Sequence, residues 1–249
     1  MRQIGLVGIF ILGLAGGAGM VTTATAADCD VEDHAEAISA CSKIIESGGG
    51  TASERAQAHR RRAAAYIDQR AFKKALGDYT QAIRLQPNNA DDHFGRGVAY
   101  AELAQLQSAL IELARAIALN KNHADAYYER GRIREQAGQF RAALGEYGEA
   151  IRARANFADA YNYRAWTYYK MRQPARGLPD ADKAISIDPN DMDYHRTRAH
   201  ILESLGRRKA AIDQYRRILR TDPTNQNAEA GLVRLKAARP STRPPTRLR

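Results

Sequence analysis

Five stretches of sequence decide the fold. They are ALGDYTQAIRLQPNNA from Ala75, ALIELARAIALNKNHA from Ala109, ALGEYGEAIRARANFA from Ala143, GLPDADKAISIDPNDM from Gly177 and AIDQYRRILRTDPTNQ from Ala211. Their starts are 34 residues apart each time, with no insertion or deletion. A fixed period of this length is the signature of a repeat protein. It predicts five units, at 56–89, 90–123, 124–157, 158–191 and 192–225.

Small and large side chains recur at fixed positions of the unit. Positions 8 and 20 are small, as Ala63, Gly97, Gly131, Ala165 and Ala199, then Ala75, Ala109, Ala143, Gly177 and Ala211. Position 24 is bulky in four units, as Tyr79, Leu113, Tyr147 and Tyr215. Two antiparallel helices approach closely only where side chains are short, so each unit is predicted to be a helix–turn–helix. Proline at position 32 of three units cannot continue the second helix.

This pattern of aromatic, small and proline positions resembles the tetratricopeptide repeat family. The resemblance implies an all-α, right-handed superhelical solenoid of antiparallel helix pairs, with a concave groove that binds a protein or peptide. It names no partner. Position 4 departs from the family's tryptophan, and carries His59, His93, Tyr127, Tyr161 and His195.

The segments outside the five units are predicted to complete the array. Residues 28–55 hold a helix of a partial N-terminal repeat, which ends at three glycines from Gly48. Residues 226–238 form an amphipathic helix that caps the last unit, as terminal repeats require. Residues 239–249 (RPSTRPPTRLR) have three prolines and no acid, and are predicted to be a disordered basic tail.

The first 27 residues, MRQIGLVGIFILGLAGGAGMVTTATAA, have the pattern of a signal peptide. Arg2 precedes an apolar, glycine-rich run, and Ala24 and Ala26 fit the small residues before a cleavage site. We therefore expect an exported, periplasmic protein. A retained membrane anchor stays open, because the run approaches the roughly 20 residues that span a bilayer.

Export places Cys29 and Cys41 in an oxidising compartment, where an even pair favours a disulfide. On one helix, twelve residues at a rise of 1.5 Å would hold them about 18 Å apart, too far to bond. A disulfide therefore requires Cys29 to lie on a segment that folds back over the helix of Cys41. Two free thiols remain the alternative.

The formal net charge of +10 first suggests an anionic partner. The excess is concentrated at the ends, however: the first and last of the five units are basic, residues 226–249 carry six bases and one acid, and the middle units are near neutral. Nucleic acid is not expected, because an exported protein ordinarily meets little of it. Binding of an anionic membrane surface through the tail stays a possibility.

Arginine recurs at position 7 and an acid near position 23. The pairs are Arg62 with Asp78, Arg96 with Glu112, Arg130 with Glu146, Arg164 with Asp180, and Arg198 with Asp213 one place earlier. Antiparallel packing brings these two positions to one height along a unit, so we interpret them as a structural ladder of ion pairs. A row of anion-binding arginines is the alternative.

The family resemblance places positions 2, 5, 9, 12 and 13 of the first helices on the concave face. The groove residues expected there are Arg60, Phe94, Tyr128, Arg132, Trp166, Tyr169, Lys170, Arg196 and His200. Aromatic rings with interspersed cations suit a peptide that carries carboxylates or apolar anchors. A solvated helix surface with aromatic packing between neighbours is the simpler alternative.

Catalysis finds little support in the sequence. No phosphate loop, nucleophile elbow or paired-carboxylate motif is present, and three of the six histidines recur at one repeat position, which favours packing. We expect no enzyme activity, no cofactor and no metal site. The leading hypothesis is a scaffold of the cell envelope that binds another protein in its groove. The alternatives are a binder of a polyanion or anionic membrane through the basic ends, and an accessory subunit of an envelope assembly machine.

Overall fold

The computed structural model describes Cys29 and residues 33–237, and over these residues the fold is an all-α repeat array. Its helices are α1 (His34–Ser47), α2 (Ala52–Asp68), α3 (Phe72–Leu85), α4 (Ala90–Glu102), α5 (Leu106–Leu119), α6 (Ala124–Gln136), α7 (Phe140–Ala153), α8 (Ala158–Lys170), α9 (Pro174–Ile187), α10 (Met192–Ser204), α11 (Arg208–Thr221) and α12 (Gln226–Ala237). The expected signal peptide at 1–27 and basic tail at 239–249 lie outside the described residues.

Each 34-residue unit is one helix pair, from α2 with α3 to α10 with α11. The first unit differs, because α2 begins at Ala52 and the boundary at residue 56 falls inside it. The cause is a capping box: Thr51 Oγ1 accepts a hydrogen bond from the Glu54 backbone, and the Glu54 carboxylate accepts one from the Thr51 backbone. These bonds satisfy orphan donors one turn earlier than the repeat register.

The helices are arranged so that the first helices form the inner layer. Every second helix packs against its own first helix and against the next first helix. Successive first helices also contact one another, from α2 with α4 to α8 with α10, whereas no two successive second helices in the described part of the chain pack to the same extent. The first helices therefore line the concave side, and the core lies between the two layers.

The small positions allow this close packing. All five residues at position 8 and all five at position 20 lie between the layers, and the alanines among them are fully buried. The ring of Tyr79 lies directly over Gly95 of the next unit, where an added Cβ would approach Tyr79 Cζ to 2.2 Å. Tyr147 covers Gly131 of its own unit, where an added Cβ would approach Tyr147 Cε1 to 2.6 Å. Glycine is present at these points because only a hydrogen side chain fits.

The turn within every unit needs one left-handed residue, at position 15. Two units have glycine there, Gly138 (φ 72°) and Gly206 (φ 69°). The other three have Arg70 (φ 57°), Ala104 (φ 58°) and Arg172 (φ 60°), whose Cβ atoms are strained in this conformation. The repeated geometry thus overrides the local preference of three residues.

The N-terminal element is closed by the disulfide between Cys29 and Cys41, whose Cα atoms lie 5.1 Å apart. Cys29 lies outside α1 and folds back over it, as the length argument requires. Both sulfurs are buried with Ile44 and Ala58. The bond therefore fastens Cys29 to the first interface of the array.

The last helix, α12, covers the open end of the fifth unit. Ala228 and Leu235 are buried in one cluster with Tyr215 and Ile218 of α11. At the rim, both oxygens of Glu203 accept hydrogen bonds from Arg234, at 2.9 and 3.0 Å. The terminal apolar face is thereby removed from water, as expected for a capping helix.

Candidate partner-binding groove

Four arginines at position 7 bind the acid at position 23 of their own unit. Arg62 and Arg164 face aspartates, and each makes two bonds, through Nε and Nη2, at 2.7–2.8 Å. Arg96 and Arg130 face glutamates, and each makes one bond through Nη2, at 2.7 and 2.8 Å. In these two units the buried Nε atom has no hydrogen-bond partner. Aspartate therefore fits the guanidinium fork better than glutamate at this position.

The fifth arginine binds another acid than expected. Arg198 Nε donates to Asp182 Oδ1 of the preceding unit at 2.6 Å, not to Asp213. The physical reason is that position 23 of this unit is Gln214, which carries no charge, and Asp213 is exposed one place earlier on α11. Arg198 therefore binds the nearest carboxylate across the unit boundary.

Position 4 completes the same polar layer. His59, His93 and His195 place Nδ1 at 2.7–2.8 Å from the side chain at position 23 of their units. Where position 4 is tyrosine instead, the arginine lies over its ring, 5.6 Å from the centroid of Tyr127 or Tyr161. Position 4 is thus a structural slot, and its histidines contact structural partners.

Two of the expected groove residues make contacts within the array. Arg60 binds the fully buried Asp92 of the next unit, with Nη2 to Oδ2 at 2.8 Å. Phe94 packs on the ring of His123, with centroids 4.8 Å apart. Arg60 therefore holds neighbouring units together, and Phe94 packs within its own unit on the residue that caps α6. The other seven expected residues lie on α6, α8 and α10.

A cavity of about 240 Å³ opens between α8 and α10, and we call it the Asn162 cavity. It is lined by Tyr128, Asp159, Asn162, Tyr163, Trp166, Asp191, Asp193, Tyr194, Arg196 and Thr197. The Tyr194 hydroxyl donates to Asp159 Oδ1 at 2.8 Å and fixes that carboxylate at the wall. The cavity therefore joins rigid aromatic surface to carboxylate oxygens.

A second cavity, of about 310 Å³, lies along α4 and α6, and we call it the Glu129 cavity. It is lined by Ala101, Glu102, Glu129, Arg132, Ile133, Glu135, Gln136 and Tyr163. Burial raises the pKa of the Glu129 carboxyl, and the neighbouring Arg132 offsets this only in part. Tyr163 lines both cavities, so they lie side by side along the first helices α4, α6, α8 and α10.

The cations of the groove are already bound to acids. Arg132 Nη1 lies 3.1 Å from both oxygens of Glu129. Lys170 Nζ lies 2.5 Å from Glu135, and Arg196 Nη1 lies 2.7 Å from Asp193. The sequence suggested interspersed cations ready for a carboxylate partner. The structure corrects this, because Glu129, Glu135 and Asp193, none of them among the expected groove residues, pair with these cations.

Aromatic rings of neighbouring helices hold one another in place along the groove. Trp166 stacks on Tyr169 with centroids 4.9 Å apart, and His200 of α10 lies 5.8 Å from Trp166. Tyr128 meets Tyr163 edge-on at 5.4 Å, and Arg132 lies over both rings. Burial lowers the pKa of His200, which favours its neutral ring. The aromatic surface is therefore ordered without a partner.

Four important groove residues were not predicted from the sequence: Asn162, Tyr163, Glu129 and Glu135. Asn162 and Glu135 occupy positions 5 and 12, which the family resemblance placed on the concave face. Glu129 and Tyr163 share position 6, which it did not include. A survey of every residue at these positions, acids and amides as well as rings and cations, would have found the first two.

The residues that the structure describes include neither a membrane-spanning helix nor a cluster of metal ligands. No helix among them combines the length and the apolar character needed to cross a bilayer. Likewise, no three histidine, cysteine, aspartate or glutamate side chains of residues 33–237 come together as metal ligands.

Comparison with known proteins agrees with the helix pairs. Residues 63–104 match a family model described as a TPR repeat, and residues 164–226 match one described as a tetratricopeptide repeat. The matches support the tetratricopeptide repeat assignment. No curated protein matches the chain.

Solved structures show that the fold is a tetratricopeptide-type helical array. MamA from Desulfovibrio magneticus RS-1 is 20% identical with a TM-score of 0.61, over 71% of this chain and 99% of that one. Pseudomonas aeruginosa pilF is 16% identical with a TM-score of 0.63, over 74% and 92%. YrrB, described as a TPR protein with an unusual peptide-binding site, is 26% identical with a TM-score of 0.51, over 65% and 81%.

Proposed function

We propose that the chain is a non-catalytic scaffold that binds a segment of another protein in the groove of α4, α6, α8 and α10. The observation that supports this most is the pair of neighbouring cavities, which share Tyr163 as a wall. Together they offer an elongated surface with aromatic rings and fixed polar atoms. An extended or helical segment suits such a surface better than a compact small molecule does.

The mechanism we infer is presentation of a preordered surface. Trp166, Tyr169 and His200 are held by mutual ring contacts, and Tyr128 and Tyr163 by an edge-on contact and Arg132. Because these side chains are already fixed, binding costs less ordering entropy. The ladder and the interdigitated core keep the three helices at a constant spacing.

A comparison of bound partners tests this function. We expect the double variant Trp166→Ala/Tyr169→Ala to lose partners that the wild-type chain retains in a pull-down from envelope extract. Ile111→Ala is the matched control, since Ile111 is 60% exposed on the second helix α5. If the groove variant and the wild type retained the same partners, the binding surface would lie elsewhere.

We also propose that the protein works in the cell envelope after export. The pattern of residues 1–27 and the Cys29–Cys41 disulfide support an oxidising compartment. Fractionation with thiol labelling tests this location. A processed chain in the periplasmic fraction whose thiols react only after reduction is expected, and a cytoplasmic chain with free thiols would contradict it. An unprocessed chain in the membrane fraction would favour the anchored alternative.

A second candidate function is binding to an anionic surface at the C-terminal end. The observation in its favour is that Arg207, Lys209, Arg216 and Arg220 are exposed on or beside α11. Such binding weakens steeply with added salt. A vesicle-binding assay with anionic lipid tests this function. It compares the full chain with a 239–249 deletion at low and at high salt. Binding that is unchanged by salt would exclude this function.

A further inference from the structure

The groove has the opposite charge to the chain as a whole. Two cations, Arg132 and Arg196, line the Asn162 and Glu129 cavities, and a third, Lys170, binds Glu135 beside them. Six carboxylates line them as well: Glu102, Glu129, Glu135, Asp159, Asp191 and Asp193. The chain carries +10. A local excess of acid in a basic protein therefore marks one face as different from the rest.

Asn162 supplies an independent observation on the same face. Its side chain lines the Asn162 cavity, and the residue is only 8% exposed. The Asn162 Oδ1 atom is buried and has no hydrogen-bond partner. A buried amide oxygen without a partner is costly, so a donor from a ligand would remove that cost.

The size of the cavity narrows the class of ligand. Sites for small organic molecules usually occupy about 300–1,000 Å³. The Asn162 cavity, at about 240 Å³, is smaller and shares the Tyr163 wall with the Glu129 cavity beside it. This shape suits one inserted side chain of a segment that continues along the groove.

We propose that the Asn162 cavity receives an arginine or lysine side chain from a basic segment of a partner protein. The N–H groups of that side chain would donate to Asn162 Oδ1 and to the carboxylates of Asp159 and Asp191. The faces of Tyr163 and Trp166 would attract the same cation through their ring electrons. A further basic residue of the segment would meet Glu102. This inference rests on the proposed groove function and specifies its partner.

Titration of the full chain with two defined peptides tests the proposal. Trp166 lines the Asn162 cavity and is the sole tryptophan of the sequence, so its emission reports occupancy there. The probes are ten-residue peptides in a Gly-Ser frame, one with three arginines and one with three glutamates. We expect the basic peptide to change the emission to saturation, about tenfold more tightly than the acidic peptide. Long-range attraction to the basic chain would give the opposite order.

Matched variants separate the cavity from general charge. Asp159→Asn/Asp191→Asn/Asp193→Asn removes three charges from the cavity wall, and asparagine still caps α10 at residue 191. We expect it to weaken binding of the basic peptide about tenfold or more. The control Glu149→Gln/Asp213→Asn/Glu229→Gln removes three charges from α7, α11 and α12 and should bind like the wild type.

The outcomes distinguish this proposal from the function on which it rests. Tighter binding of the acidic peptide, or equal loss in the control variant, would overturn the cation preference while the groove function stood on its pull-down result. No change in Trp166 emission with either peptide would overturn the cation site.

Discussion

Arg198 Nε lies 2.6 Å from Asp182 Oδ1, so the fifth arginine of the ladder joins two units instead of the two helices of one unit. The four preceding arginines bind an acid within their own unit. The exception arises from one residue, Gln214, which replaces the acid at position 23. The ladder is therefore a set of local pairings, each determined by the acid within reach.

The two kinds of pair should differ in their contribution to stability. Asp180 is buried, so Arg164→Gln leaves a carboxylate without its cation and should reduce the free energy of unfolding by about 2–3 kcal/mol. Asp182 has a half-exposed side chain, and Arg198→Gln should cost less than about 1 kcal/mol. Urea denaturation followed by circular dichroism measures both. Equal losses would show that burial of the acid does not determine the strength of the ladder.

Glycine to alanine substitutions should change stability in opposite directions at two helical positions. Gly95→Ala places a Cβ against the Tyr79 ring and should destabilise by about 1–3 kcal/mol, despite the better helix propensity of alanine. Gly145→Ala on α7 meets no atom within 4 Å and should stabilise by about 0.5–1 kcal/mol. Thermal unfolding of the two variants gives the comparison. A stabilising Gly95→Ala would contradict the close ring packing.

The left-handed turn residues offer a way to stabilise the array. Ala104→Gly removes the strain of a Cβ at φ 58°, which costs about 1–2 kcal/mol, and loses part of that gain to the flexibility of glycine when unfolded. A net gain of about 0.5–1 kcal/mol is expected in the free energy of unfolding. The reverse change, Gly138→Ala, should lower it. A destabilising Ala104→Gly would contradict the strain of a Cβ at this left-handed position.

Asp78 makes stability depend on acid pH. Burial would raise its pKa, but hydrogen bonds from Arg62 and His59 together lower it below the usual value. A carboxyl with a depressed folded-state pKa contributes stability that is complete above its unfolded pKa, about 3.9, and is lost as the pH falls through the folded value. The advantage of the wild type over Asp78→Asn should therefore be full above about pH 5 and shrink below about pH 4. An advantage that stayed constant down to pH 2 would exclude this linkage.

The repeat could be predicted from the sequence because its packing depends on residue size at fixed spacing. Positions 8 and 20 are small in every unit, and each lies at the interface between layers. The exceptions depend on geometry that spacing does not carry. Nothing in the residue types of Arg70 or Arg172 indicates a left-handed turn, since the shared shape of the unit imposes it.

The groove was harder to predict, because its charge depends on which side chains form ion pairs. Position alone identified Arg132, Lys170 and Arg196 as concave cations. Their pairing with Glu129, Glu135 and Asp193 is found only when the side chains are placed in space. A sequence offset gives the face of a helix, but it does not give the contacts made there. The sequence therefore suggested free cations in the groove, whereas the structure shows paired cations and an excess of carboxylates.

Site-specific crosslinking in intact cells tests whether the groove binds a basic segment of a partner protein. In one strain a photoreactive residue would replace Arg196, which lines the Asn162 cavity. In a matched strain it would replace Ile111, which is exposed on the outer helix α5. Mass spectrometry would identify the crosslinked segment. We expect the Arg196 position to capture one segment rich in arginine or lysine, and the Ile111 position not to capture it. Capture of an acidic segment at Arg196, or of the same segment equally from Ile111, would contradict this expectation.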